Sequence, residues 1–206
     1  IEMHVREAIG RRRSIRFLLP HKPVELDKIQ RMLEAARIAS HWGNVSTLRA
    51  VVIQRDRADK EVLAALPSPV AGYQIGLAPV IIVWYLEAAA CDHVGERLIE
   101  LVDAGAIGYG PNKREEVEGT LVPLMQGAAE VLKQPGMSEV DCGQGIAQAT
   151  LMAVEMGLGT CCLGTGEDPL QLPAEAAVVD AWNQAHPEIK LTFEVITYNS
   201  ARDTLA

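Results

Sequence analysis

Four arginines and one serine lie within six residues near the start of the chain, in the order Arg11-Arg12-Arg13-Ser14-Ile15-Arg16. A guanidinium stays charged at any working pH and presents a planar fork of donors that fits a phosphate. The chain carries 27 acidic residues against 19 Lys and Arg, so this cluster is a local feature and not part of a basic surface. Taken alone, the stretch is read first as capping of a preceding helix together with a solvated basic turn, and a phosphate-binding segment is the alternative.

A glycine-rich segment, residues 157–166, is the second place where chemistry is expected. A dinucleotide fingerprint needs a strand before its glycines and a helix after them, whereas here an apolar helix, residues 145–156, comes first. Gly157 is therefore expected to end that helix in the left-handed conformation. The segment is either a plain helix stop followed by a turn, or a strand end whose backbone N–H groups bind a flat ring such as a flavin.

The rest of the sequence predicts few strands and several helices, which do not alternate regularly. This pattern indicates an α+β fold, a mixed α/β sandwich. Nothing divides the chain, so residues 1–206 are expected to form a single domain. Hydrophobic runs predict strands at residues 50–54, 80–86 and 191–198. Helical spacing predicts helices at residues 3–9, after Pro23, and at residues 94–104, 114–133, 145–156 and 173–185.

Composition excludes several classes of protein. A net charge of −8 argues against nucleic-acid binding and against docking on anionic lipid. No apolar run is long enough for a membrane span, and the N-terminal region does not read as a signal peptide. The four cysteines match no zinc pattern, so no metal site is expected. Reduced thiols in a cytoplasmic protein are the expectation, with a redox role for the adjacent Cys161 and Cys162 as the alternative.

Taken together, five blocks in this order resemble the FMN-dependent nitroreductase family. The resemblance spans nearly the whole chain, and its most specific block is the one that includes the glycine-rich segment. The blocks are residues 12–17 with Pro23-Val24, residues 36–44 with the strand at 50–54, Gln74-Ile75 with residues 78–86, Asp141 with residues 145–164, and the closing strand at 191–198.

The resemblance implies a nitroreductase-like fold, in which helices flank a central, mainly antiparallel sheet. It also implies an intertwined homodimer with FMN at the subunit interface. The phosphate and ribityl chain would be held by Arg12, Arg13, Ser14 and Arg16, with Arg202 as the available C-terminal cation. The partner subunit would contribute Ser40, His41, Trp42 and Asn44. Gln74 would lie near the ribityl or pyrimidine side, and Leu163, Gly164 and Thr165 would run past the ring.

The implied activity is hydride transfer from NADH or NADPH through flavin N5 to a small organic acceptor, such as a nitroaromatic, a quinone or an enone. The flavin carries that chemistry, so no catalytic acid or base is assigned. A helical insert at about residues 90–139 is expected to act as a lid, and Tyr73, His93 and Tyr109 are candidate substrate contacts. Two alternatives stay open: a specialised flavin dehydrogenase or dehalogenase of a biosynthetic intermediate, and a non-catalytic flavin-binding protein.

The chain departs from the family's usual pattern in the second block. The family usually has Pro, Ser, Gln, Pro and Trp where this chain has Ser40, His41, Ser46, Thr47 and Leu48. The Asn often found three residues before Gln74 is replaced by Ala71. These departures bear on the substrate more than on flavin binding.

Overall fold

The computed structural model describes residues 3–66, 73–134, 136–163 and Gln184. Its α-helices are α1 (Val5–Arg11), α2 (Leu26–Arg37), α3 (Lys60–Ala65), α4 (Tyr73–Leu77), α5 (Val94–Asp103), α6 (Lys113–Glu116), α7 (Val122–Leu132) and α8 (Met137–Glu155). Short 3-10 helices occupy Trp42–Asn44 and Ala88–His93. The strands are β1 (Leu48–Gln54) and β2 (Val80–Leu86). The described residues form a mixed α+β arrangement, mostly helical around a two-stranded antiparallel sheet.

The sheet pairs β1 with β2 in antiparallel register, from Leu48 opposite Leu86 to Gln54 opposite Val80. Both strands are rich in β-branched residues, which pack well on a pleated surface. The predicted strand at residues 80–86 is confirmed, and the one predicted at 50–54 begins two residues earlier. The third predicted strand, at 191–198, and the helix at 173–185 lie outside the described residues.

Helix α8 is the central support of the fold and packs against α2 and the sheet. Gly145 permits the close approach, because a Cβ there would lie 2.6 Å from Leu48 Cδ2 and 3.2 Å from the Ala36 carbonyl oxygen. Ala153 is fully buried, and Ala149 is nearly so. Small residues on this face allow the α8 backbone to lie directly on its neighbours.

The helix ends as the sequence predicts. Gly157 has φ +77°, its N–H bonds to the Val154 carbonyl, and the Leu158 N–H bonds to the Ala153 carbonyl. This pair of bonds is a Schellman motif, which glycine accommodates without strain. The chain therefore turns sharply after α8 and enters the glycine-rich segment in a fixed direction.

The predicted insert is a packed helical unit with its own buried cluster. Its centre includes Cys91, Val94, Leu98 and Val102, and Val45 from the segment before β1 joins it. Within this unit the long helix predicted at residues 114–133 is interrupted, since α6 and α7 are separated by a π-helical turn at Val117–Leu121. Pro123 lies in the first turn of α7, and its missing N–H and its ring disrupt the regular helical ladder.

None of the helices in the described ranges is both long enough and apolar enough to cross a bilayer.

Candidate functional site

The arginine loop, residues 12–16, follows α1 and lies on the surface. Ser14 forms a parallel bridge with Thr160, and the Ile15 N–H donates to the Thr160 carbonyl over 2.8 Å. Gly159 makes this approach possible, because a Cβ there would lie 3.1 to 3.2 Å from Ile15 side-chain atoms. The fold thus brings together the two segments in which the sequence placed phosphate and ring binding.

The guanidiniums in and before this loop are not equivalent. Arg11 pairs with Glu7 across 2.5 Å within α1. The Arg13 Nη1 donates to the carbonyls of Gly10 and Arg12, each at a distance of 2.7 Å. Within the described part of the chain, Arg12 and Arg16 form no salt bridge and donate no side-chain hydrogen bond. These two side chains are therefore available for an anionic ligand, whereas the Arg13 side chain stabilises the loop backbone through its own hydrogen bonds.

A third segment lies beside the loop at the start of α4. The ring centroids of Phe17 and Tyr73 are 6.2 Å apart, and the next residue, Gln74, is only 4% exposed. The Gln74 side-chain oxygen Oε1 is buried and has no hydrogen-bond partner within the described ranges. An unpaired buried acceptor costs free energy, so this atom is suited to a ligand that presents an N–H or O–H donor.

Arg55, the residue after β1, holds α4 in place through two side-chain hydrogen bonds. Its Nε donates to the Ala78 carbonyl over 2.7 Å, and its Nη2 donates to the Ile75 carbonyl. These bonds satisfy carbonyls at the end of α4 that lack a helical partner. Gln74 is therefore held by the backbone of its own short helix and by the end of β1.

The 40–46 turn carries the second group of candidate residues. Gly43, Asn44 and Ser46 have φ of +54°, +58° and +49°, a conformation that costs a non-glycine residue free energy. Asp141, on α8, is 8% exposed and accepts a hydrogen bond from the Trp42 N–H over 2.7 Å. The carboxylate thus caps the short helix that begins at Trp42 and holds the turn in place.

The side chains of this turn differ in exposure. Ser40 and Asn44 are exposed, and Trp42 packs against the insert's buried cluster. Both ring nitrogens of His41 are buried and have no hydrogen-bond partner among the described residues. His41 is thus a second buried polar group, besides Gln74, that could bind a ligand or a partner subunit.

The arginine loop and the 40–46 turn are far apart along α8. The turn is held at Asp141 and the loop is bridged just beyond Gly157. Fourteen helical steps separate Asp141 from Glu155, which corresponds to about 20 Å at 1.5 Å per residue. Among the described residues, no hydrogen bond or salt bridge joins the two segments.

The remaining substrate candidates are on the insert. His93 is exposed and its Nδ1 lies 3.1 Å from a Glu96 carboxylate oxygen. Tyr109 is 93% exposed, between Gly108 and Gly110, both with positive φ. Neither contacts the arginine loop through a hydrogen bond or salt bridge in the ranges described. Leu163, the last described residue of the glycine-rich segment, is 39% exposed, while Gly164, Thr165 and Arg202 lie outside the described residues.

The four cysteines are free thiols, of which two are buried and two are at least partly exposed. Burial raises the pKa of Cys142 to about 11 and also raises the pKa of Cys91. Cys161 is half-buried and Cys162 exposed, with Cys162 Sγ 3.8 Å from Thr150 Oγ1. No cluster of metal-ligating side chains occurs in the part of the chain that the structure describes.

Sequence reasoning missed two contacts that organise these segments. The Asp141 carboxylate binds a backbone N–H 99 residues away in sequence, and Phe17 pairs with Tyr73. Asp141 already belonged to a family block, and the local signal for its contact was an acidic residue just before a mostly apolar helix, where a buried charge needs a partner.

Comparison with known proteins bears on this arrangement. Residues 9–108, just under half of the chain, match the sequence profile of the nitroreductase family. A search of curated proteins finds no similar sequence.

Solved structures show the fold over a longer range. A protein of Exiguobacterium sibiricum classed as a nitroreductase, in complex with FMN, is 23% identical with a TM-score of 0.66, and the match covers 84% of this chain and 80% of that one. An enone reductase of gut-bacterial fatty acid saturation is 19% identical with a TM-score of 0.62, over 84% and 80% of the two chains. A Bacillus subtilis protein classed as a nitroreductase is 14% identical with a TM-score of 0.64, over 93% and 94%.

Proposed function

We propose that the chain is a member of the nitroreductase family, whose sequence profile matches residues 9–108, and that it is an FMN-dependent oxidoreductase that uses NADH or NADPH to reduce a small organic acceptor. The observation that carries the proposal is the Ser14–Thr160 bridge. It places two available guanidiniums beside the start of the glycine-rich segment, the combination that a phosphate-bearing flavin requires.

The residues present fit FMN. Arg12 and Arg16 lack acidic partners within the described ranges, and two charge-assisted hydrogen bonds suit a phosphate dianion. The unpaired Oε1 of Gln74 suits a ring N–H donor such as the imide of a flavin. In this assignment Ser14 supplies a hydroxyl to the phosphate or ribityl chain, and the glycine-rich segment beyond Thr160 supplies backbone N–H groups to the ring.

The site is proposed to be shared between two subunits. Residues of the 40–46 turn cannot reach the arginine loop of their own chain if the two are about 20 Å apart along α8. A homodimer resolves this, with Ser40, His41, Trp42 and Asn44 of one subunit approaching the FMN held by the other. Several apolar residues of α8, including Ile146, Leu151 and Met152, are only partly covered within one chain, which supports a further packing partner for this helix.

When bound, FMN would supply the hydride-transfer chemistry. The chain's own task is to bind and orient. Arg12 and Arg16 would neutralise the phosphate, and Gln74 would bind one edge of the ring. The buried Asp141 keeps the turn rigid, so that its side chains need little ordering when the site assembles. No acid or base among the described residues is assigned to a proton transfer.

The test is the colour of the purified protein and its response to electron donors. We expect a yellow protein with one FMN per subunit, bleached by NADH or NADPH without air and restored by a nitroaromatic or a quinone. A yellow protein that no nicotinamide donor bleaches would favour a specialised dehydrogenase, a dehalogenase or a non-catalytic flavin protein. A colourless protein that cannot be reconstituted with FMN would contradict the proposal.

The compartment is also proposed. The cysteines in the described part are free thiols, which supports the expectation of a reducing compartment such as the cytoplasm.

A further inference from the structure

A cavity of about 260 Å³ lies beside the 40–46 turn and is lined mainly by charged side chains, called the basic cavity below. Two guanidiniums, of Arg49 and Arg97, and the imidazole of His93 line it together with the carboxylate of Glu87. Val45, a residue of the turn, forms part of its apolar lining. Because the chain as a whole carries a net charge of −8, this concentration of cations is a local feature of the surface.

Arg49, in β1, connects the basic cavity to the turn. Its Nη1 donates to the carbonyls of Ser46 and Leu48, and its Nη2 lies 2.6 Å from a carboxylate oxygen of Glu87. Ser46 has a positive φ, so the Arg49 side chain supports a residue whose backbone conformation costs free energy. The Arg49 Nε donates no hydrogen bond within the described ranges and is available to a ligand.

Arg97, on α5, also has donors that no described residue uses. Its Nη1 donates to both carboxylate oxygens of Glu100, at 2.9 and 2.8 Å, whereas its Nε and Nη2 donate no hydrogen bond in the described part of the chain. Glu100, and the Glu96 carboxylate beside His93, do not line the basic cavity. The lining therefore has more positive than negative charge, and its free guanidinium N–H groups are suited to an oxyanion.

We propose that the basic cavity binds the oxyanion of a substrate that reacts at the flavin of the partner subunit. The inference rests on the proposed function, in which the 40–46 turn approaches that flavin. The cavity is smaller than the about 300–1,000 Å³ of pockets that bury a whole drug-sized ligand, so it suits one group of a larger molecule. The group is the 2′-phosphate of NADPH or a carboxylate on the acceptor, since a guanidinium binds either.

The experiment uses two matched pairs of substrates on the FMN-loaded protein. NADPH and NADH differ only in the 2′-phosphate, and 4-nitrobenzoate and 4-nitrobenzyl alcohol differ in the carboxylate. In Arg97→Gln, the ratio of kcat/KM for the more anionic member to that for the other should fall about tenfold through KM in at least one pair. A fall in the first pair identifies the phosphate of the donor, and a fall in the second identifies a carboxylate of the acceptor.

Three further variants separate the charge of the basic cavity from general damage. Glu87→Gln removes a lining carboxylate that competes with the ligand for Arg49 and should raise the ratio that Arg97→Gln lowers. Arg97→Lys keeps the positive charge and should retain much of that ratio. Arg114→Gln removes an exposed guanidinium that pairs with Asp103 and Glu118, outside the cavity lining, and should leave both ratios as in the wild type.

Binding without turnover is measured by calorimetry, with NADP⁺ against NAD⁺ and with benzoate against benzyl alcohol. In Arg97→Gln the dissociation constant of the responding anion should rise by about the same factor as the ratio falls.

Unchanged ratios and dissociation constants in Arg97→Gln would overturn the inference, as would an equal loss for both members of each pair or the same loss in Arg114→Gln. FMN content is measured first. A wild type that binds no FMN contradicts the proposed function and this inference with it, whereas a loaded protein with unchanged ratios contradicts the inference alone.

Discussion

The arginine loop and the 40–46 turn are proposed to hold one cofactor, yet they are built in opposite ways. The loop is exposed and is held by a backbone bridge to Thr160 and by the brace of Arg13. The turn contains three residues of positive φ and is held from inside by the buried Asp141. The difference indicates that the loop provides charge on adaptable side chains, whereas the turn provides a fixed shape.

The largest expected effect comes from removing the charges of the loop. In Arg12→Ala with Arg16→Ala, FMN affinity should fall by about 100-fold or more, since each charge-assisted hydrogen bond contributes about 1.5–3 kcal/mol. Thermal unfolding should change little, because both side chains are exposed. FMN fluorescence titration and circular dichroism measure the two quantities.

Arg11→Ala is the matched control. Arg11 is adjacent in sequence but pairs with Glu7 within α1, so FMN affinity should stay close to that of the wild type. An equal loss in the control and the double variant would mean that only general surface charge matters.

The turn should respond in stability as well as in binding. Asp141→Ala leaves the Trp42 N–H without its acceptor and should lower the free energy of unfolding by about 1–3 kcal/mol. Denaturant titration measures this, and FMN affinity of the assembled protein should fall with it. Asp141→Asn keeps an acceptor oxygen and should recover most of the loss.

Asp103→Ala serves as the control for Asp141. Asp103 is an exposed acid paired with Arg114, and such surface pairs contribute about 0–1 kcal/mol. An equal loss of free energy of unfolding in both alanine variants would contradict the proposal that the buried Asp141 carboxylate stabilises the turn.

A smaller effect is expected at the bridge. In Gly159→Ala the new methyl group would lie 3.1 to 3.2 Å from Ile15, so the loop must shift by a few tenths of an ångström. We expect a loss of FMN affinity of a few-fold with little change in unfolding, because the displaced segment is at the surface. Gly127→Ala, where no atom lies within 4 Å of the new Cβ, should leave affinity unchanged.

The cysteines report on the two regions separately. At neutral pH a thiol reagent should label Cys162 fast and Cys161 more slowly, and bound FMN should protect both. Cys142 lies on α8 next to Asp141, and burial raises its pKa to about 11. It should stay unlabelled in the native protein. Mass spectrometry after timed labelling identifies the modified residues.

The raised pKa also fixes the sign of a pH effect. Native Cys142 keeps its proton from about pH 8.5, the unfolded value, to about pH 11, where the unfolded chain has already lost it. The contribution of Cys142 to the free energy of unfolding should therefore be constant below about pH 8.5 and fall as the pH rises toward 11. Cys142→Ala should reduce that fall, and an identical pH dependence in the variant would contradict the assignment.

Local signals predicted much of the fold. The β-branched run at β2, the helical spacing of α2 and α5, and the glycine that ends α8 each depend on neighbours in sequence, and the structure confirms them. The break between α6 and α7 was missed because the apolar spacing continues across Pro123. The proline changes the backbone without changing the pattern.

The sequence suggested which residues could form the candidate site, but not which contacts join them. The arginines and the glycine-rich segment are candidate ligand-binding segments by their local residue types alone. The Ser14–Thr160 bridge and the Asp141–Trp42 hydrogen bond, in contrast, join residues far apart in sequence. Contacts of that kind depend on how whole elements pack. The same holds for the unequal roles of Arg12 and Arg13, which follow from carbonyl positions.

The most direct test of a site shared between subunits combines two variants, each of which should bind FMN far more weakly than the wild type. One is Arg12→Ala with Arg16→Ala, and the other is His41→Ala with Asn44→Gly, where glycine keeps the positive φ without strain. Refolding an equal mixture gives mixed dimers in which one site has both intact halves and the other has neither. We predict that FMN binding returns in the mixed dimers, at one FMN per dimer; mixed dimers that bind none would contradict the shared site.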